Sequence, residues 1–197
     1  MLRRTFIAAC LLAAGVTGTA AQEKTAKAIF AGGCFWCVEA DFDKVAGVIS
    51  TTSGYIGGTV KNPTYQQVSG GTTGHAEAVE VVYDPAKVTY AKLLDHYWQN
   101  IDPFDPDGQF CDKGSAYHSA IFFGNDEEKK LAETTKEEIA ARFKQTVATE
   151  IKPTTTFTAA EDYHQDYHNQ NPVSYKYYKW GCGRAQRLAE IWGKPHS

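Results

Sequence analysis

The stretch Gly32-Gly33-Cys34-Phe35-Trp36-Cys37 is where this 197-residue chain is best equipped to do chemistry. It follows a short apolar run, Ala28 to Ala31. It precedes apolar residues at Phe35, Val38, Phe42 and Val45, the i, i+3, i+7 spacing of a helix face. The two glycines separate strand from helix. Cys34 is therefore predicted in the first turn of a helix, where unpaired N–H groups and the helix dipole favour an anion. A thiol held there is expected to have its pKa drawn down to about 3.5–7.5 and to act as a thiolate nucleophile. Phe35 and Trp36 place an apolar wall beside it. Free cysteines are often no more than small buried apolar residues, but the glycines and the helix start point to a reactive one.

Cys34 and Cys37 form a C-x-x-C, a redox motif when it opens a helix. Zinc would need a second ligand pair at similar spacing, whereas Cys111 and Cys182 stand alone. Haem attachment would need a histidine where Val38 stands. No metal and no cofactor is expected. Glu77 opens an alternating run in which it shares a face with Val79 and Val81 rather than with Glu80. Burial there would raise its pKa toward that of a general acid; at the strand end it would be solvated, and the run leaves both open. Asp112 and Tyr117 close one long loop and Tyr65 lies in another, although core or surface packing is the commoner fate of a tyrosine.

The elements that must hold these residues follow from the pattern. Strands are predicted at 27–31, 48–53, 76–83, 117–123 and 147–151. Helices are predicted at 34–44, at 89–98 with Thr89 as N-cap, at 126–143 behind Asn125, and at 177–192 with a break near Gly181-Cys182-Gly183. Residues 54–71 and 101–116 read as loops of a length that is usually functional. Strand–helix–strand, twice over, followed by additions, is the element order of an α+β fold, a ferredoxin-like two-layer sandwich with a long irregular C-terminal region.

Composition narrows the class. A net charge of −3 gives no hint of nucleic acid or an anionic membrane as partner. Residues 1–21 read as a signal peptide: basic Arg3-Arg4, an apolar run over 5–16 too short to span a bilayer, and small residues ending in Ala20-Ala21. Arg3-Arg4-Thr5-Phe6 also resembles a weak twin-arginine signal. The expectation is one domain over 22–197, exported and periplasmic, without stable membrane insertion after cleavage. Cys34, Cys37, Cys111 and Cys182 then remain, an even count that could also mean two structural disulfides.

Several motifs together resemble the A-type peptide methionine sulfoxide reductase family. They are Gly33-Cys34-Phe35-Trp36, Gly54-Tyr55 with Gly57-Gly58, Asn62-Pro63-Thr64-Tyr65, Thr73-Gly74-His75-Ala76-Glu77, Tyr83-Asp84-Pro85, Asp112 to Tyr117, Ala160-Glu161-Asp162-Tyr163-His164 with Tyr167, and Asn171-Pro172. They run in the family's order. The resemblance implies reduction of methionine (S)-sulfoxide, free or in oxidised proteins, by attack of Cys34 on the sulfoxide sulfur. It implies Glu77 as the acid, Tyr65 and Tyr117 as hydrogen-bond donors to the oxygen, and Phe35 and Trp36 as the methyl pocket. Asp112 orders the site, and His164, Tyr167 and Tyr175 are outer positions. A Cys34 sulfenic acid is then resolved by a second thiol, and a thioredoxin-like donor reduces the disulfide. Family members commonly carry glycine in place of Cys37 and resolve with a cysteine in a Gly-rich tail. Cys182, flanked by glycines, is accordingly expected to resolve, ahead of Cys37 and then Cys111. A protein disulfide oxidoreductase working through Cys34 and Cys37 is the rival enzyme. An aromatic binding module with structural cysteines is the rival without catalysis. Neither gives Glu77, Tyr65 and Tyr117 a role.

Overall fold

The computed structural model describes residues 24–193; the expected signal peptide lies outside them. Eight strands and seven α-helices follow in order: β1 (Ala26–Gly32), α1 (Phe35–Phe42), β2 (Val48–Ile56), α2 (Tyr65–Ser69), β3 (Ala76–Tyr83), α3 (Tyr90–Gln99), β4 (Gly108–Gln109), β5 (Asp112–Lys113), β6 (Ser119–Phe123), α4 (Asp126–Phe143), β7 (Glu150–Pro153), β8 (Thr158–Ala159), α5 (Tyr167–Gln170), α6 (Pro172–Gly181) and α7 (Arg184–Trp192). Six strands form one sheet in the order β7-β6-β1-β3-β2-β8. All its pairings are antiparallel except β6 with β7.

β1 lies inside the sheet between β3 and β6, so Ala28, Ile29, Phe30 and Ala31 are buried whichever way they point. That is why the run shows no alternation. On one face, Phe30 stacks on Phe42 of α1 and Tyr97 of α3, each at 5.0 Å. The main core grows from there through Val79, Val81, Leu93, Leu94 and Ile121. On the other face Ile29, Ala31, Ile56, Ala78, Ala120 and Phe122 form a smaller cluster, with Phe157 packed against it. α3 starts as predicted, the Thr89 side chain accepting the Lys92 N–H, and α4 likewise on Asn125.

The differences lie in the irregular parts. The first long loop contains α2, capped by Thr64, whose side chain and that of Gln67 each bond the other's backbone. The second holds the β4–β5 hairpin. Strand 147–151 is displaced to Glu150–Pro153. The C-terminal region is more helical than expected: α5 and the first half of α6, which opens on Pro172, precede residue 177, while the break expected near 181–183 falls at Gly183, whose left-handed φ of +63° ends one helix as it begins the next. Among the described residues, no helix is long and apolar enough to cross a membrane.

Candidate active site

The chain reverses at Gly33, with φ +83°, and a Cβ there would lie 2.6 Å from Gln109 Cβ. Glycine is thus required twice over, for conformation and for contact. Gln109 is fully buried; its side chain accepts the Asp102 N–H (2.8 Å) and donates to the Asp102 carbonyl (2.6 Å), as a neighbouring strand would. This locks the β4–β5 hairpin, with Cys111 and Asp112, against the turn that carries Cys34.

Cys34 is the N-cap residue of α1, and its carbonyl accepts the Cys37 N–H at 3.1 Å. The first N–H of the helix, from Phe35, donates not to sulfur but to Glu77 Oε2, at 3.0 Å. Glu77 is 1% exposed on the helix-covered face, together with Val79 and Val81, as strand alternation predicts. Burial outweighs the Phe35 N–H and pushes the Glu77 carboxyl up to about 8, so it carries a proton at neutral pH.

The expected thiolate is not where the helix-start argument placed it. Burial pushes the Cys34 thiol up, the Cys37 and Glu77 charges add to that, and the helix-end donor is already taken by Glu77. Cys37 is the sulfur drawn down, to about 7, chiefly by the hydrogen bond from Cys34 and then by Arg184 and Lys179. Arg184 is buried, paired with Asp41 Oδ2 at 3.0 Å and lying over the Phe110 ring at 4.5 Å. The first thiol proton is therefore expected to leave near pH 7, read as thiolate absorbance in the ultraviolet, and Cys37→Ser should move that step well upward. A step near 7 that persists in Cys37→Ser would contradict this assignment.

The aromatic wall has two depths. Phe35 is buried and packs on Tyr55 (6.0 Å) and Tyr65 (6.4 Å). Trp36 is half-buried and lies flat on Tyr167, 3.7 Å apart and 7° from parallel. Its indole N–H donates to His164 Nδ1 at 3.1 Å, so His164 must leave that nitrogen unprotonated; burial also holds its pKa low. The hydroxyls of Tyr65 and Tyr117 lie beside each other, and burial and the Glu77 charge push both upward. Glu161 fixes their frame by accepting the Tyr65 N–H (2.9 Å) and the Tyr55 hydroxyl (2.7 Å). Asp112 accepts from the Tyr178 hydroxyl.

The structure thus gathers Cys34, Phe35, Trp36, Cys37, Tyr65, Glu77, Asp112, Tyr117, His164 and Tyr167 in one place. Cys182, the tail cysteine expected to resolve, is bonded in this structure to Cys111, the third-ranked candidate, with Cα atoms 4.8 Å apart. Gly183, at φ +63°, ends the helix beside Cys182, which lies against Cys111 of the hairpin. Cys34 and Cys37 are the two free cysteines among the described residues. Tyr178 and Arg184 fall outside the motifs read in the sequence, and Glu161 appears there only inside one, without a role. A tyrosine four residues before a tail cysteine and an arginine two after it carry no spacing signal of their own.

A family description, peptide methionine sulfoxide reductase, matches residues 26–196. The chain is 48% identical to peptide methionine sulfoxide reductase MsrA 2 of Caulobacter vibrioides over 196 residues, covering 98% of this chain and 100% of that one. Among solved structures it resembles reduced Mxr1 from Saccharomyces cerevisiae, with TM-score 0.72 and 32% identity over 76% of this chain and 87% of that one. It also resembles methionine sulfoxide reductase A of Corynebacterium diphtheriae, with TM-score 0.70 and 34% identity over 77% of each chain.

Proposed function

The chain belongs to the peptide methionine sulfoxide reductase family, and from that membership and the site's geometry we propose how its residues work. It is an oxidoreductase that reduces methionine sulfoxide at the expense of thiols. In our reading the substrate is the S epimer, free or in oxidised proteins, and Cys34 is the attacking sulfur. The single observation that carries this is Glu77: a buried carboxyl, protonated at neutral pH, bonded to the N–H of the residue after Cys34.

As Cys34 attacks the sulfoxide sulfur, its thiol proton passes to the Cys37 sulfur, to which it is hydrogen-bonded. The Glu77 proton goes to the sulfoxide oxygen, steadied by the Tyr65 and Tyr117 hydroxyls. The Cys34–S(Met) bond formed in the attack then gives way as the hydroxyl passes from the methionine sulfur to Cys34. The S(Met)–O bond breaks, a Cys34–O bond forms, methionine leaves as the thioether, Cys34 is a sulfenic acid and Glu77 is left a carboxylate. Cys37 then attacks Cys34, water departs with the Cys37 proton, and a Cys34–Cys37 disulfide remains. A dithiol donor of the thioredoxin type reduces it. Trp36, flat against Tyr167, offers the methyl group an aromatic face. Asp112, His164 and Tyr167 hold the walls of the site.

Finer features belong to the same reading. The strand order β6-β1-β3-β2, with α1 and α3 as crossovers, supports a ferredoxin-like description of the central unit. The basic and apolar run over residues 1–21 supports one exported domain over 22–197, placed in the periplasm with a thioredoxin-like donor on that side. A protein disulfide oxidoreductase would use the same C-x-x-C but leaves the protonated Glu77 idle.

The test is turnover of separated dabsyl-methionine sulfoxide epimers with dithiothreitol, which is expected to consume the S form and leave the R form. Consumption of R, or of neither, would overturn the reading. After one turnover of reduced enzyme without reductant, peptide mapping should find Cys34 bridged to Cys37. A dominant Cys34–Cys182 bridge would restore the tail cysteine as resolver.

A further inference from the structure

α6 lies against the site yet buries none of its own residues. Val173, Tyr177 and Trp180 on its outer side are 83%, 75% and 78% exposed. Two ties fasten its C-terminal end to the β4–β5 hairpin. Tyr178 donates to Asp112 Oδ2, and Cys182, the C-cap residue of α6, is bonded to Cys111. Between these ties the Tyr178 hydroxyl lies beside the Cys34 thiol, and its ring meets Trp36 edge-on at 5.8 Å and 81°. Cys34 is left 8% exposed. A sulfoxide sulfur must come within roughly 3.5 Å of Cys34 to be attacked, and Tyr178, fixed by Asp112 and set edge-on to Trp36, stands beside the Cys34 sulfur.

We propose that Tyr178 caps Cys34, that the Cys111–Cys182 disulfide holds the cap in place, and that a dithiol donor admits the sulfoxide by opening that bond. Cys111 is exposed and Cys182 half-buried, whereas Cys34 and Cys37 are both buried, so the Cys111–Cys182 pair is the one a protein thiol can reach. The donor thiolate attacks the Cys111 sulfur, the Cys111–Cys182 bond breaks and Cys182 leaves as thiolate. The donor's second thiol then displaces Cys111, so two electrons pass to the pair and the donor ends as a disulfide. Without the covalent tie, α6 keeps the Tyr178–Asp112 hydrogen bond, the Lys179–Asp41 ion pair at 3.6 Å and the buried tip of Tyr175, but no residue buried as a whole, so it is held by few contacts and can lift. The site then takes substrate when reducing equivalents are at hand.

This rests on Cys34 being the attacking sulfur, but its test is blind to sulfoxide chemistry. In a Cys37→Ser background, Cys34 is the only free thiol among the described residues while the Cys111–Cys182 bond stands. Its labelling by a bulky maleimide and by methyl methanethiosulfonate is followed by peptide mass spectrometry. The ratio of the two rates cancels any change in acidity and reports access. Adding Cys111→Ser with Cys182→Ser should raise the bulky-to-small ratio by at least about tenfold. Tyr178→Ala, which keeps the disulfide, should raise it as much, and Tyr178→Phe, which keeps the ring, should not. A ratio unmoved by both the double serine variant and Tyr178→Ala would overturn the proposal, even if sulfoxide turnover with dithiothreitol stands.

Discussion

Cys34→Ser is expected to lower single-turnover reduction of methionine (S)-sulfoxide by about 10⁴-fold or more, while binding of the substrate persists. The reaction moves an oxygen atom and two electrons from one sulfur to another. A sulfur can hold that oxygen as a sulfenic acid; a serine hydroxyl would have to become a peroxide. The variant keeps the size and hydrogen-bonding capacity of the side chain, so Tyr178, Cys37 and Glu77 retain their neighbours. Rapid-quench measurement of methionine formed by reduced enzyme gives the rate directly. A loss smaller than about tenfold would mean that another thiol attacks, with Cys37 the first suspect.

Glu77→Gln separates chemistry from stability, and the two should move in opposite directions. The amide oxygen can still accept the Phe35 N–H now bonded at 3.0 Å, so the geometry survives. It has no proton of comparable acidity to give, so the chemical step should slow by about 10²–10⁴-fold. A carboxyl ordinarily near 4.5 is held at about 8 in the folded chain. The folded state therefore binds this proton more tightly than the unfolded one. Its stabilising effect is full below about 4.5 and is lost progressively as pH rises toward about 8. Across that interval the loss is at most roughly 5 kcal/mol, and the glutamine variant escapes it. Glu77→Gln should thus melt higher than wild type at pH 8 and alike at pH 4. A variant that melts lower at pH 8, or whose chemical step is unchanged, would remove the carboxyl from the acid's role.

Much of the fold was legible because periodicity reports which side of an element is covered. Phe35, Val38 and Phe42 are all buried at the helix spacing, and Glu77 lies with Val79 and Val81. The caps at Thr89 and Asn125 are local hydrogen bonds, so the local sequence shows them. Two things were hidden for a shared reason. The acidity of Cys34 was inferred from a helix end in the open, whereas depth in the fold and the claim of Glu77 on the Phe35 N–H are set by chain distant in sequence. The pairing of Cys182 with Cys111 depends on a 71-residue excursion closing on itself, and α6, which carries Tyr178, buries no residue that could have marked its course. The hairpin at 108–113 is likewise held by the Gln109 amide, a side chain doing what a strand neighbour usually does.

The buried guanidinium of Arg184 has a bearing on how the C-terminal segment tolerates damage. It is anchored to Asp41 of α1 and to the carbonyl of Asn100, so the last helix begins inside the body of the protein. A protease nick after the exposed Gly183 would leave α1, α6 and all four cysteines of the described residues covalently joined to the body of the protein. Release of the severed piece would nonetheless strip Cys37 of its strongest positive neighbour. A clipped preparation would then fail by losing the ionisation of a sulfur far upstream of the cut, and mass alone would not reveal why.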